Sequence, residues 1–233
     1  MYIEVSELLN NLNYSIKDKK LLETALTHSS FINEHNNKEY TSNERLEYLG
    51  DAVLDLVIAE YFFNSNVALK EGELSKLRSE VVNEHSLAII ANDLSLGDFI
   101  KFGKGEIKSG GKNRESILAD ALEALIGAIY LDSDLETTRE IILNIFSNII
   151  VNAEEKKSFT NFKSKLQEYT QKDGASEIQY KIYKEEGPDN AKVFYSVVII
   201  NKKPIGYGAG KTKKQSEQLA ARDALDKLGE VNV

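Results

Sequence analysis

The 233-residue sequence has no cysteine, no tryptophan, one methionine, two prolines and three histidines. Without cysteine, disulfides, thiolate metal sites and thiol nucleophiles are excluded. No apolar run reaches the ~18 residues that a membrane span needs, so no membrane partner is expected. The first ten residues, MYIEVSELLN, lack the basic-then-apolar layout of a secretory signal. A cytoplasmic protein is the simplest expectation. His28, His35 and His85 lack metal-ligand spacing and read as structural or exposed residues. No Ser/His/Asp or Cys/His set is visible, so water is the expected nucleophile, and no small-molecule cofactor is expected.

The net charge of -8 suits a nucleic-acid binder poorly, but the charge is unevenly spread. Residues 1–157 hold 16 Lys and Arg against 27 Asp and Glu, whereas residues 158–233 hold 13 against 10. An acidic first part and a mildly basic second part predict two domains with different jobs. Hydrophobic periodicity changes at the same place. The first part is helical in spacing, with helices expected near 6–9, over 19–27, from a cap at Ser42 or Asn43 to 63, over 72–91, over 114–132, and from a cap at Ser133 or Asp134 to 151. Residues 31–42 are Asn-rich and predict a loop. A loop or short helix is expected near 96–99. The Gly- and Lys-rich stretch 103–112 predicts a mobile loop, since it fails the Walker spacing. In the second part, a helix over 161–172 precedes alternating segments at 178–182, 193–199 and 205–209. A hairpin loop at 187–190 and a final helix over 212–228 complete it. The predicted fold is multidomain: an all-α domain over 1–151, a linker over 152–159, and an α+β module of order α-β-β-β-α over 160–230.

Residues 43–51, NERLEYLGD, carry the most chemistry. Glu44, Glu47 and Asp51 fall on one stripe of a helix, beside an apolar stripe of Leu46, Leu49, Val53, Leu56 and Val57. A second acid pair, Asp120 and Glu123, borders the apolar face of the helix carrying Ile117, Ala121, Leu125 and Ile129. Taken singly, such a pair reads as a solvated or salt-bridged surface. Two pairs bordering the most apolar helices point instead to a shared site, because carboxylates crowded together resist ionisation unless a cation joins them. Glu47, Asp51, Asp120 and Glu123 form an oxygen-only set suited to Mg²⁺, a hard ion that keeps waters and borrows phosphate oxygens. Such an ion acidifies water and shields a leaving oxygen.

NERLEYLGD, followed by LADALEALIGAIYLD at 118–132, resembles the ribonuclease III family, endonucleases that cut double-stranded RNA. Thr27-His28-Ser29-Ser30 and LKEGEL at 69–74 fit the same pattern, and the resemblance runs from residue 4 to 229. It implies that 1–151 is the catalytic domain and that Glu47, Asp51, Asp120 and Glu123 are the metal and catalytic carboxylates, with Asp51 and Glu123 the most critical. It further makes Glu44 and Glu71 supporting acids, and Tyr48, usually Phe in the family, a dimer contact. The implied chemistry is Mg²⁺-dependent hydrolysis, with Mn²⁺ as a substitute, leaving 5′-phosphate and 3′-hydroxyl ends. The implied assembly is a homodimer, and the implied substrates are ribosomal RNA precursors and structured messengers.

Residues 160–230 resemble a double-stranded-RNA-binding domain through FKSKLQEYTQ, GPDNAKVF and GYGAGKTKKQSEQLAA. The resemblance implies RNA contacts from Gln167, Glu168, Asn190, Lys211, Lys213 and Lys214, the last three placed at a helix N-terminus where backbone N–H groups favour phosphate. Gly206, Gly208 and Gly210 are expected to allow a close backbone approach. The sequence departs from the family pattern at Asn190, usually His; at Phe162, usually Pro or Tyr; and at Ser216, usually Ala. The rival reading is a catalytically inactive double-stranded-RNA-binding protein of the same fold. The presence of Asp51, Asp120 and Glu123 weighs for the enzyme. A di-iron helical protein would need Glu-x-x-His pairs, which the chain lacks.

Overall fold

A computed structural model describes residues 2–35, 40–160, 162–172, 177–188 and 192–229. The chain divides into two units, Met1–Ala153 and Glu154–Val233. Among the described residues no helix is long and apolar enough to cross a membrane.

The first unit is helical: α1 (Tyr2–Asn11), α2 (Lys19–Ala25), α3 (Ser29–His35), α4 (Glu44–Ser65), α5 (Glu71–Val81), α6 (Glu84–Asp93), α7 (Lys104–Lys108), α8 (Glu115–Asp132), α9 (Leu135–Ile145) and α10 (Ser147–Thr160). Short 3₁₀ turns lie at Leu96–Asp98 and Gly111–Asn113. α8 runs through the core. Its neighbours bury Leu118, Ala121, Leu122, Leu125 and Ile126 almost completely. α4 lies against it and contributes Leu54, Val57, Ile58 and Phe62.

The two helices meet at glycines. A Cβ on Gly50 would sit 1.8 Å from the Glu123 carbonyl oxygen, and one on Gly127 would sit 2.3 Å from the Leu46 carbonyl oxygen. Glycine weakens a helix interior by about 1 kcal/mol relative to alanine. Here it permits a backbone approach that no side chain allows.

Several sequence expectations are corrected. Residues 31–35 are helical, in α3, rather than loop; 36–39 lie outside the described residues. The helix expected over 72–91 is two. The Asn83 backbone turns extended and its side chain accepts from Ser86 N–H at 3.0 Å, capping α6 in competition with continuous helix. The stretch 103–112 is ordered into α7 and a 3₁₀ turn, because Glu34 accepts the Lys104 N–H, Arg114 pairs with Glu106 at 2.7 Å and Lys112 pairs with Asp98. The last helix of the unit breaks at Phe146, which is fully buried between α9 and α10. Residues 152–159, expected as a linker, continue α10 as helix, and the division between units falls within it. α4 begins after Asn43, but without the expected side-chain cap; Ser42 Oγ instead donates to Glu44 at 3.1 Å. Asp134 caps α9 by accepting from Thr137 N–H at 2.8 Å.

The second unit holds α11 (Phe162–Lys172), β1 (Ile178–Glu186), β2 (Val193–Ile200), β3 (Lys203–Gly210) and α12 (Lys213–Leu228). The strands form an antiparallel sheet in the order β1-β2-β3. One face packs on α11 and α12 through Leu166, Val198, Ala220, Ala224 and Leu225. Gly206 and Gly208 do bring backbone close, but to α12: a Cβ on either would lie 2.2 Å from an Ala220 backbone atom. The family departures at 162 and 216 are absorbed by this core. Phe162 is buried, and Ser216 Oγ lies 2.6 Å from Ser196 Oγ while donating to the Lys213 carbonyl at 2.9 Å. The extra hydroxyl is therefore satisfied and need not cost stability.

Candidate active site

From Ile117 to Ile129, Asp120 and Glu123 are the only residues of α8 that are not buried. They face α4, where the crossing at Gly50 brings Glu47 to meet them. Carboxylate oxygens of Glu47, Asp120 and Glu123 all lie within 4.8 Å of one another, and all three residues are half-buried. Among the described residues, none of the three pairs with a Lys or Arg.

Burial, and like charges gathered this way, make a carboxylate harder to ionise. Glu123 is pushed up to about 8, first by burial and then by the charges of Asp51, Asp120, Glu47 and Asp55. Glu47 is raised by burial, then by Asp120, Glu44 and Asp51. Asp120 is raised by burial and by Glu84, while His28 acts in the opposite direction. An oxygen-only, half-buried trio with no cationic side chain is the donor set that a hard divalent ion fits.

Not every expected acid joins the trio. Asp51 is exposed and lies outside it, yet its charge reaches both Glu47 and Glu123. Glu44, in the first turn of α4, reaches Glu47. Glu71 is exposed at the start of α5, accepts from Ser75 Oγ at 2.9 Å, and is not among the charges that act on the trio. Glu84, at the first turn of α6, does act on it. Sequence reasoning missed Glu84 because no periodicity ties α6 to α8. His28, expected to be structural or exposed, is half-buried, and its ring nitrogen lies 2.7 Å from Ser30 Oγ. Tyr48, on α4, is 80 % exposed.

In the second unit, Gln167 and Glu168 lie on the exposed side of α11, opposite the buried Leu166. Lys211 precedes α12, and its N–H donates to Gln215 Oε1 at 2.8 Å. Thr212 caps the helix by accepting from Gln215 N–H at 3.1 Å. Lys213 and Lys214 open the helix and are exposed. Lys213 Nζ stands 3.7 Å from Glu185 and 5.6 Å from the Phe194 ring. Asn190 lies outside the described residues.

Two family models match the chain: Ribonuclease-III-like over residues 18–149, and Double-stranded RNA binding motif over residues 162–228. "Ribonuclease 3" of Caldanaerobacter subterraneus subsp. tengcongensis is 50% identical over 222 residues, covering 95% of this chain and 97% of that protein. "Ribonuclease 3" of Clostridium tetani is 48% identical over 231 residues, covering 99% and 97%. The nuclease domain of ribonuclease III from Campylobacter jejuni superimposes with a TM-score of 0.58 at 51% identity, covering 62% of this chain and 96% of that one. Its structure is described as flexible in a region involved in dimer formation. With an acid trio at the α4–α8 crossing, an RNA-binding motif later in the sequence and relatives of about half-identical sequence over nearly all of its length, the chain belongs to the ribonuclease III family.

Proposed function

We propose that the protein is an endoribonuclease that hydrolyses phosphodiester bonds of double-stranded RNA, with Mg²⁺ as its ion and Mn²⁺ as a substitute, leaving 5′-phosphate and 3′-hydroxyl ends. The observation that carries this is the carboxylate trio Glu47, Asp120 and Glu123, without a Lys or Arg partner among the described residues, on two helices locked together at glycine. Those three residues would hold the ion, and Asp51, exposed at their rim, would complete the set from the side open to substrate. When bound, the ion supplies Lewis-acid charge to the phosphodiester and acidifies water. Burial of α8 around the acids keeps their geometry rigid, so little reorganisation accompanies reaction. Glu44 and Glu71 are assigned to positioning RNA. The nuclease role is assigned to 1–151 and the RNA-binding role to 160–230, with 152–159 between them. Ribosomal RNA precursors and structured messengers in the cytoplasm are the proposed substrates.

The test is incubation of a long perfect RNA duplex with the protein in Mg²⁺ and in EDTA. Metal-dependent cutting into short duplexes is expected. Tight binding with no cutting in Mg²⁺ or Mn²⁺ would establish the inactive RNA-binding protein instead.

RNA contact is assigned to Gln167, Glu168, Asn190, Lys211, Lys213 and Lys214. The lysines gather ammonium charge at the start of α12, where the helix dipole adds to it. Lys213→Ala with Lys214→Ala is expected to weaken duplex binding and flatten the slope of log affinity against log salt by up to about two. Titrations between low and physiological salt decide this, and an unchanged slope would show that neither ammonium meets phosphate.

A homodimer is inferred from an exposed apolar stripe along α4. Tyr48, Leu56 and Phe63 are 80 %, 52 % and 68 % exposed, an unusual density for a helix facing water. Tyr48→Ala is expected to shift sedimentation toward monomer on dilution into the micromolar range. A dimer as tight as wild type would remove Tyr48 from the interface.

A further inference from the structure

The sheet of the second unit turns an aromatic face to solvent. Ser196 and Val198 point from β2 toward the helices: Ser196 Oγ lies 2.6 Å from Ser216 Oγ, and Val198 packs with Ala220 and Ala224. Side chains alternate along a strand, so Tyr195 and Val197 point the other way. Lys181 on β1 and Tyr207 on β3 are the register partners of Val197 and share its face. Tyr183 joins them at the irregularity of β1 between Ile182 and Lys184. Its ring centroid stands 6.3 Å from that of Tyr195 and 6.0 Å from that of Tyr207, the latter edge-on. Each strand thus supplies one tyrosine to a single patch.

The patch is more than a cover for the sheet. Val197 faces no helix and yet is buried, so the rings roof it. Even so, Tyr183 and Tyr207 stay 52 % and 49 % exposed. Tyr195 Oη donates to Glu186 at 2.9 Å, whereas the hydroxyls of Tyr183 and Tyr207 have no hydrogen-bond partner among the described residues. Exposed aromatic area of this kind marks a binding surface. Ammonium groups stand around it. Lys184 Nζ lies 5.4 Å from the Tyr195 ring, and Lys227 Nζ lies 5.4 Å from the Tyr207 ring. Glu186 and Asp223 pair with those two lysines. Lys181 is exposed and has no acidic partner among the described residues, so these charges leave a positive surplus.

We propose that this face stacks the unpaired bases of an RNA strand that adjoins a duplex, with Lys181 meeting its phosphates. Aromatic rings stack any base, and neighbouring cations hold the backbone, which is the chemistry of single-strand binding. A protein partner fits less well, because lysine is depleted from the centres of protein interfaces. The described residues assigned above to duplex RNA lie on α11 and at the start of α12, on the helical side of the sheet. A duplex held there leaves the tyrosines open, so one module can hold a duplex and its single-stranded flank together. The inference rests on the RNA-binding reading proposed above.

The test is fluorescence anisotropy of the full chain in EDTA with two RNAs: a blunt duplex of about 16 base pairs, and the same duplex with a tail of about ten unpaired nucleotides. Wild type is expected to bind the tailed RNA at least about fivefold more tightly, the lower end of what one stacked base supplies. Tyr183→Ala with Tyr207→Ala should lose that advantage and keep the blunt affinity. Tyr183→Phe with Tyr207→Phe keeps the rings and should retain it. An advantage that survives the alanines, or that the phenylalanines also lose, overturns the proposal. Lys181→Glu reverses an exposed charge and leaves the roof over Val197 in place, so it serves where the alanine variant does not fold. It should shrink the advantage, and an unchanged advantage overturns the proposal. Equal wild-type affinity for both RNAs overturns this inference alone, whereas wild type that binds neither RNA overturns the RNA-binding reading with it. Sedimentation in which the alanines break a contact between copies, with no tail advantage, would give the face to a second copy of the chain instead.

Discussion

Glu123→Gln is expected to abolish cleavage and yet to stabilise the metal-free protein at alkaline pH. The two effects share one cause. Glu123 is held at about 8 by burial and by its acidic neighbours, whereas in the unfolded chain it ionises near its ordinary value of 4.5. Between those values the folded protein keeps a proton that the unfolded chain has lost. The stability this group contributes is therefore fully present below about 4.5, declines as pH rises through the window, and is gone above 8. Gln carries no such proton and shows no such decline. In EDTA at pH 8.5 the variant should melt higher than wild type by about 2–5 °C, a range discounted for the partial exposure of the carboxyl, with the gap closing toward pH 5. Scanning calorimetry at both pH values checks this, and an equal gap at both would refute the buried-charge account.

The same proton links pH to metal. An ion entering the trio must displace it, so binding should release protons and strengthen between pH 6 and 8. The amide of Gln keeps the shape but not the charge. Cleavage should fall by on the order of 10³-fold or more, because several kcal/mol of charge stabilisation depends on the ligand set. RNA affinity should stay within about twofold, since Glu123 is not among the residues assigned to RNA, neither those of the second unit nor Glu44 and Glu71 of the first.

The acid stripes on α4 and α8 were legible because helical spacing alone sorts Glu47 and Asp51, or Asp120 and Glu123, to the edge of an apolar face. The α-β-β-β-α order was legible because the period changes from 3.6 to 2 at Ile178. What escaped depends on tertiary contact. α3 and α7 are too short to show periodicity, and they are held by Glu34 and Ser30 reaching the 103–104 backbone. The break between α5 and α6 hides within an apolar pattern that runs across it, and only the Asn83 cap reveals it. The bridge between residues 27 and 101 is likewise a pairing that no local pattern encodes. Asp51 shares the stripe of Glu47 but, being exposed, falls outside the trio, a distinction of burial that spacing cannot make.

Gly50→Ala should be among the most damaging single-methyl changes in the chain, because it separates the two halves of the site. The new Cβ would lie 1.8 Å from the Glu123 carbonyl oxygen and 3.0 Å from the Gly127 nitrogen. Both are backbone atoms of a buried helix, so no rotamer change relieves the overlap. Alanine returns about 1 kcal/mol of helix propensity, but overpacking a rigid core costs about 1–3 kcal/mol and more when backbone must move. A net loss of about 2 kcal/mol corresponds to a fall in Tm of roughly 4–8 °C. α4 and α8 must part, and Glu47 then draws away from Asp120 and Glu123. Metal affinity and cleavage should collapse together, even at temperatures where the variant remains folded. Gly72→Ala supplies the contrast: it too is helical, in α5, but a Cβ there meets nothing within 4 Å. That variant should keep full activity and gain a few tenths of a kcal/mol. If Gly50→Ala melts and cleaves like wild type, the α4–α8 crossing is looser than its glycines imply, and the trio cannot be held by it.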